Sequence, residues 1–402
     1  MSTPKENNWK KTGIFSSEEV EKFAQETNNS KAFAEILLQR NIRKADQIHT
    51  FLNPELNQFL DPFGLKDMDK AIDRLISAKA NNEKVLVYGD YDVDGTTAVA
   101  VFYSFLKQVG FECSFYIPDR YKEGYGFSEA GVEFAKANNF SLIVTLDCGI
   151  KDGPRIEKCN EYGIDVVVCD HHTPEELPPA FAVVNPKRKD CTYENKGLCG
   201  CAVGFKVMCA WFIHHKEPLD FAFSFLDLVA IATAADIVPV TSENRVLLHF
   251  GLKEINTHFR PGIAELLANA KHSGKILKVV DLVFLIAPRI NAAGRIFSGN
   301  KAVEVLLTNN AEDARAVAAQ IEQFNQERKG LDRNITQEAL DIIESDSFYE
   351  ESFTTVVKKE GWHKGVIGIV ASRLIESYYK PTIVLTEDRK STRLNSSHAN
   401  IS

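Results

Sequence analysis

The sequence lacks any apolar run approaching the roughly 18 consecutive residues of a membrane-spanning helix, although 44% of its 402 residues are hydrophobic. Its first residues, 1–8, are polar and do not resemble a secretory signal peptide. We therefore expect a cytoplasmic protein without a membrane partner. The length favours two or three domains, each with a core of its own.

The chain also lacks an excess of basic residues, because 47 Lys and Arg stand against 55 Asp and Glu, for a net charge of −8. A protein that coats DNA non-specifically carries positive charge over much of its surface, so that class is not expected. A local basic groove beside a metal cluster would still accept a nucleic acid.

The eight cysteines lack the paired C-x₂₋₄-C spacing of structural zinc sites. This holds even for the cluster Cys191, Cys199, Cys201 and Cys209. They lie in or beside apolar segments, which is typical of reduced thiols in a cytoplasm. The sequence therefore favours neither structural zinc nor disulfides.

Three aspartates at alternate positions, Asp90, Asp92 and Asp94, follow the apolar run 85–87. Carboxylates this close repel one another, and their burial without partners is costly. A divalent cation removes the repulsion, because Mg²⁺ and Mn²⁺ prefer hard oxygen ligands. For this motif alone, a solvated acidic turn after a strand is an equal alternative.

Three later segments end in the same types of residue. Runs 142–146 and 165–169 are strand-like, and run 226–235 is apolar and helix-like. In open α/β sheets, ligands bind at the carboxyl ends of the strands. The residues that follow these three runs are, in order, Asp147; Asp170, His171 and His172; and Asp236. Together the four segments favour a metal site over unrelated structural features.

The alternation of strands and helices over 84–250 predicts an α/β fold, a doubly wound parallel sheet. A long helical pattern at 311–343, which would span roughly 50 Å, predicts a connector to a smaller α/β domain. The strands are predicted at 85–88, 113–117, 142–146, 166–169 and 182–184 in the first domain, and at 353–358 and 382–385 in the second.

The motifs resemble, in order, those of the DHH phosphoesterase superfamily: Asp-Tyr-Asp-Val-Asp-Gly at 90–95, Asp-Cys-Gly at 147–149, Asp-His-His at 170–172 and Ala-Asp at 235–236. The chain is most similar to RecJ-type single-stranded-DNA exonucleases, over roughly residues 50–385. That similarity rests on Pro-Asp-Arg-Tyr at 118–121 with Gly-Tyr-Gly at 124–126, on Ala-Pro-Arg-Ile-Asn-Ala-Ala-Gly-Arg at 287–295, and on Gly-Trp-His-Lys-Gly-Val-Ile-Gly at 361–368.

The resemblance implies a metal-dependent 5′→3′ exonuclease that hydrolyses single-stranded DNA in repair and recombination, with two divalent ions, Mn²⁺ or Mg²⁺. It implies that Asp92, assisted by Asp90, binds one ion, that Asp94, His171 and Asp236 bind the other, and that Asp147 bridges them. His172 would face the substrate phosphate and, with Asp147 and Asp170, form the catalytic set. Spacing alone does not divide the ligands between the ions. Tyr88 stands where several relatives carry a histidine ligand.

Arg120 and Arg295 are expected to clamp the terminal 5′ phosphate, since a planar guanidinium suits bidentate phosphate binding. Structural ion pairs are the alternative for both. Asn291 is expected to support the same pocket. His363, at a glycine-rich helix start, and Arg373 are expected to contact the strand.

The resemblance divides the chain into an N-terminal helical segment 1–60, a DHH catalytic domain 61–255, a helical region with the connector 256–345, a partial DHHA1-like nucleic-acid-binding domain 346–388 and a non-native or disordered tail 389–402. The tail lacks the Gly-rich signature expected of RecJ-like chains, which suggests a truncated reading frame. A monomer is expected, with a helicase or single-strand-binding protein as candidate partner.

Two alternatives remain open. One is another DHH activity, on oligoribonucleotides, cyclic dinucleotides or pyrophosphate. The other is a non-catalytic replication scaffold. Arg120 and the 287–295 motif favour the exonuclease, and a scaffold would not need to keep repulsive carboxylates together.

Overall fold

The structure, a computed structural model, describes residues 15–296, 298–387 and 392–397. Its strands are β1 Val85–Gly89, β2 Cys113–Tyr116, β3 Leu142–Leu146, β4 Asp165–Cys169, β5 Ala182–Val184, β6 Thr355–Lys358, β7 Thr382–Glu387 and β8 Thr392–Ser397. Its α-helices are α1 Ser17–Glu26, α2 Lys31–Gln39, α3 Ala45–Leu52, α4 Met68–Ala80, α5 Val93–Gln108, α6 Glu129–Ala137, α7 Gly153–Glu161, α8 Gly200–His214, α9 Asp220–Phe223, α10 Leu226–Ala235, α11 Ser242–Thr257, α12 Pro261–Asn269, α13 Val279–Asp281, α14 Ala287–Ile296, α15 Asn300–Leu307, α16 Ala311–Glu344, α17 Phe348–Glu351 and α18 Ile367–Tyr378. Short 3₁₀ turns lie at Leu56–Gln58 and Pro62–Gly64, and a π-helix lies at Leu282–Ile286.

Five parallel strands form the sheet of the first lobe in the order β2-β1-β3-β4-β5. β1 and β3 are buried along their whole length, because one face packs under α5 and α8 and the other under α6 and α7. Strands buried on both faces read as uninterrupted apolar runs, which is how the sequence shows them. The predicted doubly wound sheet is confirmed. Its strand order reverses between β1 and β3, the point at which such sheets bind ligands.

The acidic motif forms the turn between β1 and α5. Asp92 caps the helix, since its Oδ1 accepts a hydrogen bond of 3.1 Å from the Gly95 N–H. A Cβ on Gly95 would lie 2.5 Å from the Asp90 carbonyl oxygen, so only glycine lets the helix start this close to the strand end. The tight turn therefore brings all three carboxylates to the sheet edge.

Helix α16 joins the two lobes over 34 residues, or about 50 Å at 1.5 Å per residue. Its first half buries Ala318 and Ile321 in the core of the first lobe. Its second half buries Ile335 and Ala339 in a separate core with α18 and the second sheet. The predicted connector helix is therefore present, and it belongs to both cores.

The second sheet has the order β6-β7-β8, with β6 parallel and β8 antiparallel to β7. The backbone of β8 lies within 389–402, where the sequence predicted a non-native or disordered tail, and no strand was predicted there. Residues 388–391 and 398–402 lie outside the described part. The origin of this segment and the proposed domain boundaries stay predictions. Among the described helices, none combines the length and the apolar composition needed to cross a bilayer.

Candidate metal centre and phosphate pocket

The candidate ligands meet where β1, β3 and β4 end side by side. Gly89 pairs with Leu146, which in turn pairs with Cys169, so the residues that follow these strands emerge at one edge. Asp147 has a φ of 59°, a left-handed backbone that is uncommon for a residue other than glycine. Such a conformation persists only where the surrounding structure holds it, and it concentrates at functional sites.

Candidate ligand atoms gather in two main groups, within each of which they lie within 4.8 Å of one another. The first group comprises Asp90, Asp92 and Asp147, and the second comprises Asp94, His171 and Asp236; a third set, of Asp147, His171 and His172, overlaps both. Asp147 lies between the groups, since its Oδ1 is 3.1 Å from His171 Nε2. His171 Nδ1 is 3.6 Å from Asp236 Oδ2.

Several of these atoms are buried without a hydrogen-bond partner among the described residues. They are both carboxylate oxygens of Asp90, Oδ1 of Asp147, Nδ1 of His171 and Oδ2 of Asp236. Burial and the charge of Asp92 raise the pKa of Asp90 to about 8. Burial and the surrounding aspartates also raise the pKa of Asp147. Orphaned oxygen and imidazole ligands in two adjacent groups fit a pair of divalent cations.

Asp94 is held by the N-terminus of helix α8. The Gly200 N–H donates to Asp94 Oδ2 at 2.6 Å and the Cys201 N–H donates to Oδ1 at 2.8 Å. A Cβ on Gly200 would lie 2.5 Å from the Cβ of Asp147. Gly200 therefore supports both groups, a role that sequence reasoning missed. The only available signal was a glycine at the start of an apolar helix.

Asp170 accepts hydrogen bonds with both oxygens and orients His172. Its Oδ1 lies 2.7 Å from His172 Nδ1, and its Oδ2 accepts the Ile150 N–H at 3.0 Å. Although burial opposes ionisation, these hydrogen bonds hold the pKa of Asp170 below its usual value. The contact with Asp170 raises the pKa of His172, and the Tyr125 hydroxyl lies 2.9 Å from His172 Nε2.

Arg120 and Arg295 lie in one region, beside the acidic motif. The guanidinium of Arg120 sits 4.9 Å from the ring centre of Tyr91. Arg295 donates to the Gly365 carbonyl at 3.1 Å, and burial followed by the positive charge of Arg120 lowers its pKa. Within the described residues neither arginine forms an ion pair, and their contact with the terminal phosphate stays a prediction. Asn291 and Arg295 line the same cavity of about 200 Å³.

Gly294 explains why Arg295 comes so close to the acidic motif. A Cβ at this position would lie 2.4 Å from the Tyr91 carbonyl oxygen, so α14 packs directly on the turn that follows β1. The π-helix Leu282–Ile286 immediately precedes α14. π-Turns are frequent at functional sites, and this one was not predicted.

The other two predicted substrate-binding residues, His363 and Arg373, differ from Arg120 and Arg295 in their contacts. His363 lies beside Gly365, the partner of Arg295: its Nδ1 accepts the Gly365 N–H at 3.1 Å, and its ring packs against Tyr121. Arg373 is paired in a bidentate manner with Asp332, at 2.9 and 2.8 Å, and does not join Arg120 and Arg295. Its substrate contact stays a prediction. The Tyr88 hydroxyl is engaged by backbone groups of Gly126 and Ser128.

The sequence is similar to one family model and to several known proteins. The family model "DHH family, N-terminal domain" matches residues 84–233. The single-stranded-DNA-specific exonuclease RecJ of Bacillus subtilis is 37% identical over 377 residues, which is 93% of this chain and 47% of that protein. The enzyme of the same name from Haemophilus influenzae is 36% identical, over 84% of this chain and 61% of that protein. The chain thus spans about half to three fifths of the length of these relatives.

Two solved structures resemble the whole two-lobed chain. RecJ from Thermus thermophilus in complex with Mn²⁺ aligns with a TM-score of 0.80 at 27% identity, over 97% of this chain and 55% of that chain. An exonuclease RecJ bound to manganese aligns with a TM-score of 0.74 at 31% identity, over 84% of each chain.

Proposed function

The chain belongs to the RecJ family of the DHH superfamily, and on that premise we propose that it is a metal-dependent 5′→3′ exonuclease of single-stranded DNA. The observation that carries the proposal is the double group of orphaned ligands beside two arginines that form no ion pair within the described residues. We propose that it acts in DNA repair and recombination in the cytoplasm, as a monomer. A helicase or single-strand-binding protein is the proposed protein partner.

We assign one Mn²⁺ or Mg²⁺ ion to the group of Asp90, Asp92 and Asp147 and a second to that of Asp94, His171 and Asp236. Solved structures of RecJ with Mn²⁺ and with Mg²⁺ support the choice of metal. Bound divalent ions supply charge neutralisation and an activated water for attack on phosphorus. Asp147 is shared between the groups because it lies against both.

The side chains of this protein then position the substrate. Asp170 fixes His172 through Nδ1, and a non-bridging oxygen of the scissile phosphate replaces the Tyr125 hydroxyl as the hydrogen-bond partner of Nε2. The raised pKa of His172 favours its protonated form for this contact. Arg120 and Arg295 hold the terminal 5′ phosphate, which places the first internal phosphodiester at the metal centre.

A test of this function uses single-stranded DNA labelled at the 5′ or the 3′ end. Addition of Mn²⁺ should release labelled mononucleotides at once from the 5′-labelled strand, whereas the 3′ label should remain in strands that become shorter. A chelator should stop the reaction. Preferred cleavage of oligoribonucleotides, cyclic dinucleotides or pyrophosphate would replace the exonuclease with another DHH activity. No hydrolysis of any of them would favour the scaffold.

Replacing Tyr125 by phenylalanine should lower the KM for single-stranded DNA by up to about tenfold, because the substrate phosphate no longer displaces a hydroxyl from His172 Nε2. Steady-state kinetics would measure the change. Tyr162→Phe is the matched control, since its hydroxyl bonds Glu133 on the surface. A lower kcat in Tyr125→Phe would indicate that the hydroxyl contacts the substrate directly.

A further inference from the structure

A further arginine, Arg328 of the connector helix, faces the cavity that contains Arg295 and Asn291. This cavity of about 200 Å³ is also lined by Ala235, the neighbour of the proposed ligand Asp236. Arg328 also lines a second cavity of about 410 Å³, together with Lys329, Arg333, Arg373 and Asp332, the carboxylate with which Arg373 pairs. It therefore stands on the wall that the two cavities share.

Arg328 lacks an acidic partner in the part of the chain that the structure describes. One of its terminal nitrogens donates to Asn325 Oδ1 at 3.1 Å. Its Nε is buried and has no hydrogen-bond partner there, and no described carboxylate forms an ion pair with it. A buried guanidinium N–H without an acceptor is costly, which points to an acceptor that comes from outside the chain.

The neighbouring arginines show why the protein itself does not supply that acceptor. Arg289 is paired with Glu322 at 2.8 Å, and Arg373 takes both oxygens of Asp332. The acidic groups along this wall are thus already engaged by other arginines. Burial lowers the pKa of Arg295, and the positive charges of Arg120 and Arg328 contribute further. The pocket holds more positive charge than its own described residues balance.

We propose that Arg328, together with Arg295, binds a phosphate group of the single strand between the two lobes. This inference rests on the proposed function and extends the substrate contacts onto the connector helix. The Nε of Arg328 has no acceptor among the described residues, and a charged guanidinium N–H is a donor that suits a phosphate oxygen. The phosphate would also neutralise the repulsion between the two arginines.

The test measures binding of 5′-phosphorylated and 5′-hydroxyl oligo-dT by fluorescence anisotropy over a range of salt concentrations, in a chelator so that no strand is cleaved. Arg328→Ala should weaken binding about tenfold, and it should reduce the salt slope of log K by about 0.7. Arg328→Lys should recover part of the affinity, because it keeps the charge and loses the Nε–H donor.

Arg315→Ala is the control, since Arg315 lies on the same helix with 73% of its side chain exposed and pairs only with Glu265 among the described residues. A loss confined to the 5′-phosphorylated strand would identify the terminal phosphate as the ligand of Arg328. An equal loss on both strands would identify an internal phosphate. Either result supports the proposal.

An Arg328→Ala protein that binds like Arg315→Ala overturns the inference, and so does an Arg328→Lys protein that melts normally but shows no recovery over alanine. Nucleotide release by the wild type separates the two claims. If the wild type degrades single strands while Arg328→Ala behaves as the control, only the role of Arg328 fails. If the wild type neither binds nor degrades them, the proposed function fails as well.

Discussion

Asp147→Asn is expected to abolish hydrolysis and to raise the melting temperature of the metal-free protein. An amide cannot replace the carboxylate shared by the two ligand groups. Loss of partners that only support metal ligands costs about 10- to 100-fold in activity, so loss of a shared ligand should cost at least about 100-fold. Mononucleotide release in Mn²⁺ would measure this effect.

The stability gain follows from the buried charge. Burial, and then the charges of Asp94 and Asp92, raise the pKa of Asp147 in the folded state. A carboxyl whose folded pKa exceeds its unfolded value contributes stability at low pH, and this contribution is lost as the pH rises through the folded pKa. At about pH 8 the buried negative charges of the metal-free wild type therefore destabilise the folded state. Asparagine at position 147 removes the contribution of Asp147. Each kcal/mol relieved raises the melting temperature of a protein of this size by about 1–2 °C.

Differential scanning fluorimetry in a chelator should show this increase at about pH 8 and a smaller one at about pH 5, because the raised pKa of Asp147 reduces its charge as the pH falls. The control is Asp190→Asn, which removes a carboxylate whose pairing with Arg188 at 2.8 Å lowers its pKa, so this substitution should not stabilise the protein. Near-normal turnover of Asp147→Asn in Mn²⁺ would remove Asp147 from the bridging position.

Much of this fold could be predicted because its signals are local. Strands β1 and β3 are buried on both faces and appear as plain apolar runs, and α16 has a long helical pattern. Asp90 and Asp147 directly follow such runs, so the sequence predicts that both lie at one edge of the sheet. That argument needed only the order of elements along the chain.

The unpredicted features depend on contacts between distant segments. The Gly200 N–H reaches an Asp94 carboxylate 106 residues away, and no periodicity in the sequence records such a contact. Arg328 and Arg373 lie on two different helices, and of the two only Arg373 forms an ion pair among the described residues, a difference that the sequence does not record. β8 has one apolar residue, Leu394, and lacks the alternation by which strands are recognised.

Arg120→Ala and Arg295→Ala are each expected to slow the degradation of 5′-phosphorylated strands by about 10- to 150-fold relative to 5′-hydroxyl strands. Each variant loses a charge-assisted contact of about 1.5–3 kcal/mol that only the terminal phosphate makes. Neither arginine forms an ion pair within the described residues, so neither substitution leaves a described carboxylate without its partner.

The measurement is kcat/KM for paired substrates that differ only in the terminal phosphate, because the ratio between the two cancels any general loss of activity. Arg315→Ala, on the exposed face of the connector helix, should leave that ratio unchanged. Burial and then the positive charge of Arg120 lower the pKa of Arg295, so the two side chains interact and the double variant should lose less than the sum of the single losses. Equal losses on both substrates would show instead that Arg120 and Arg295 bind internal phosphates or support the fold, and the terminal phosphate would then need another binding site.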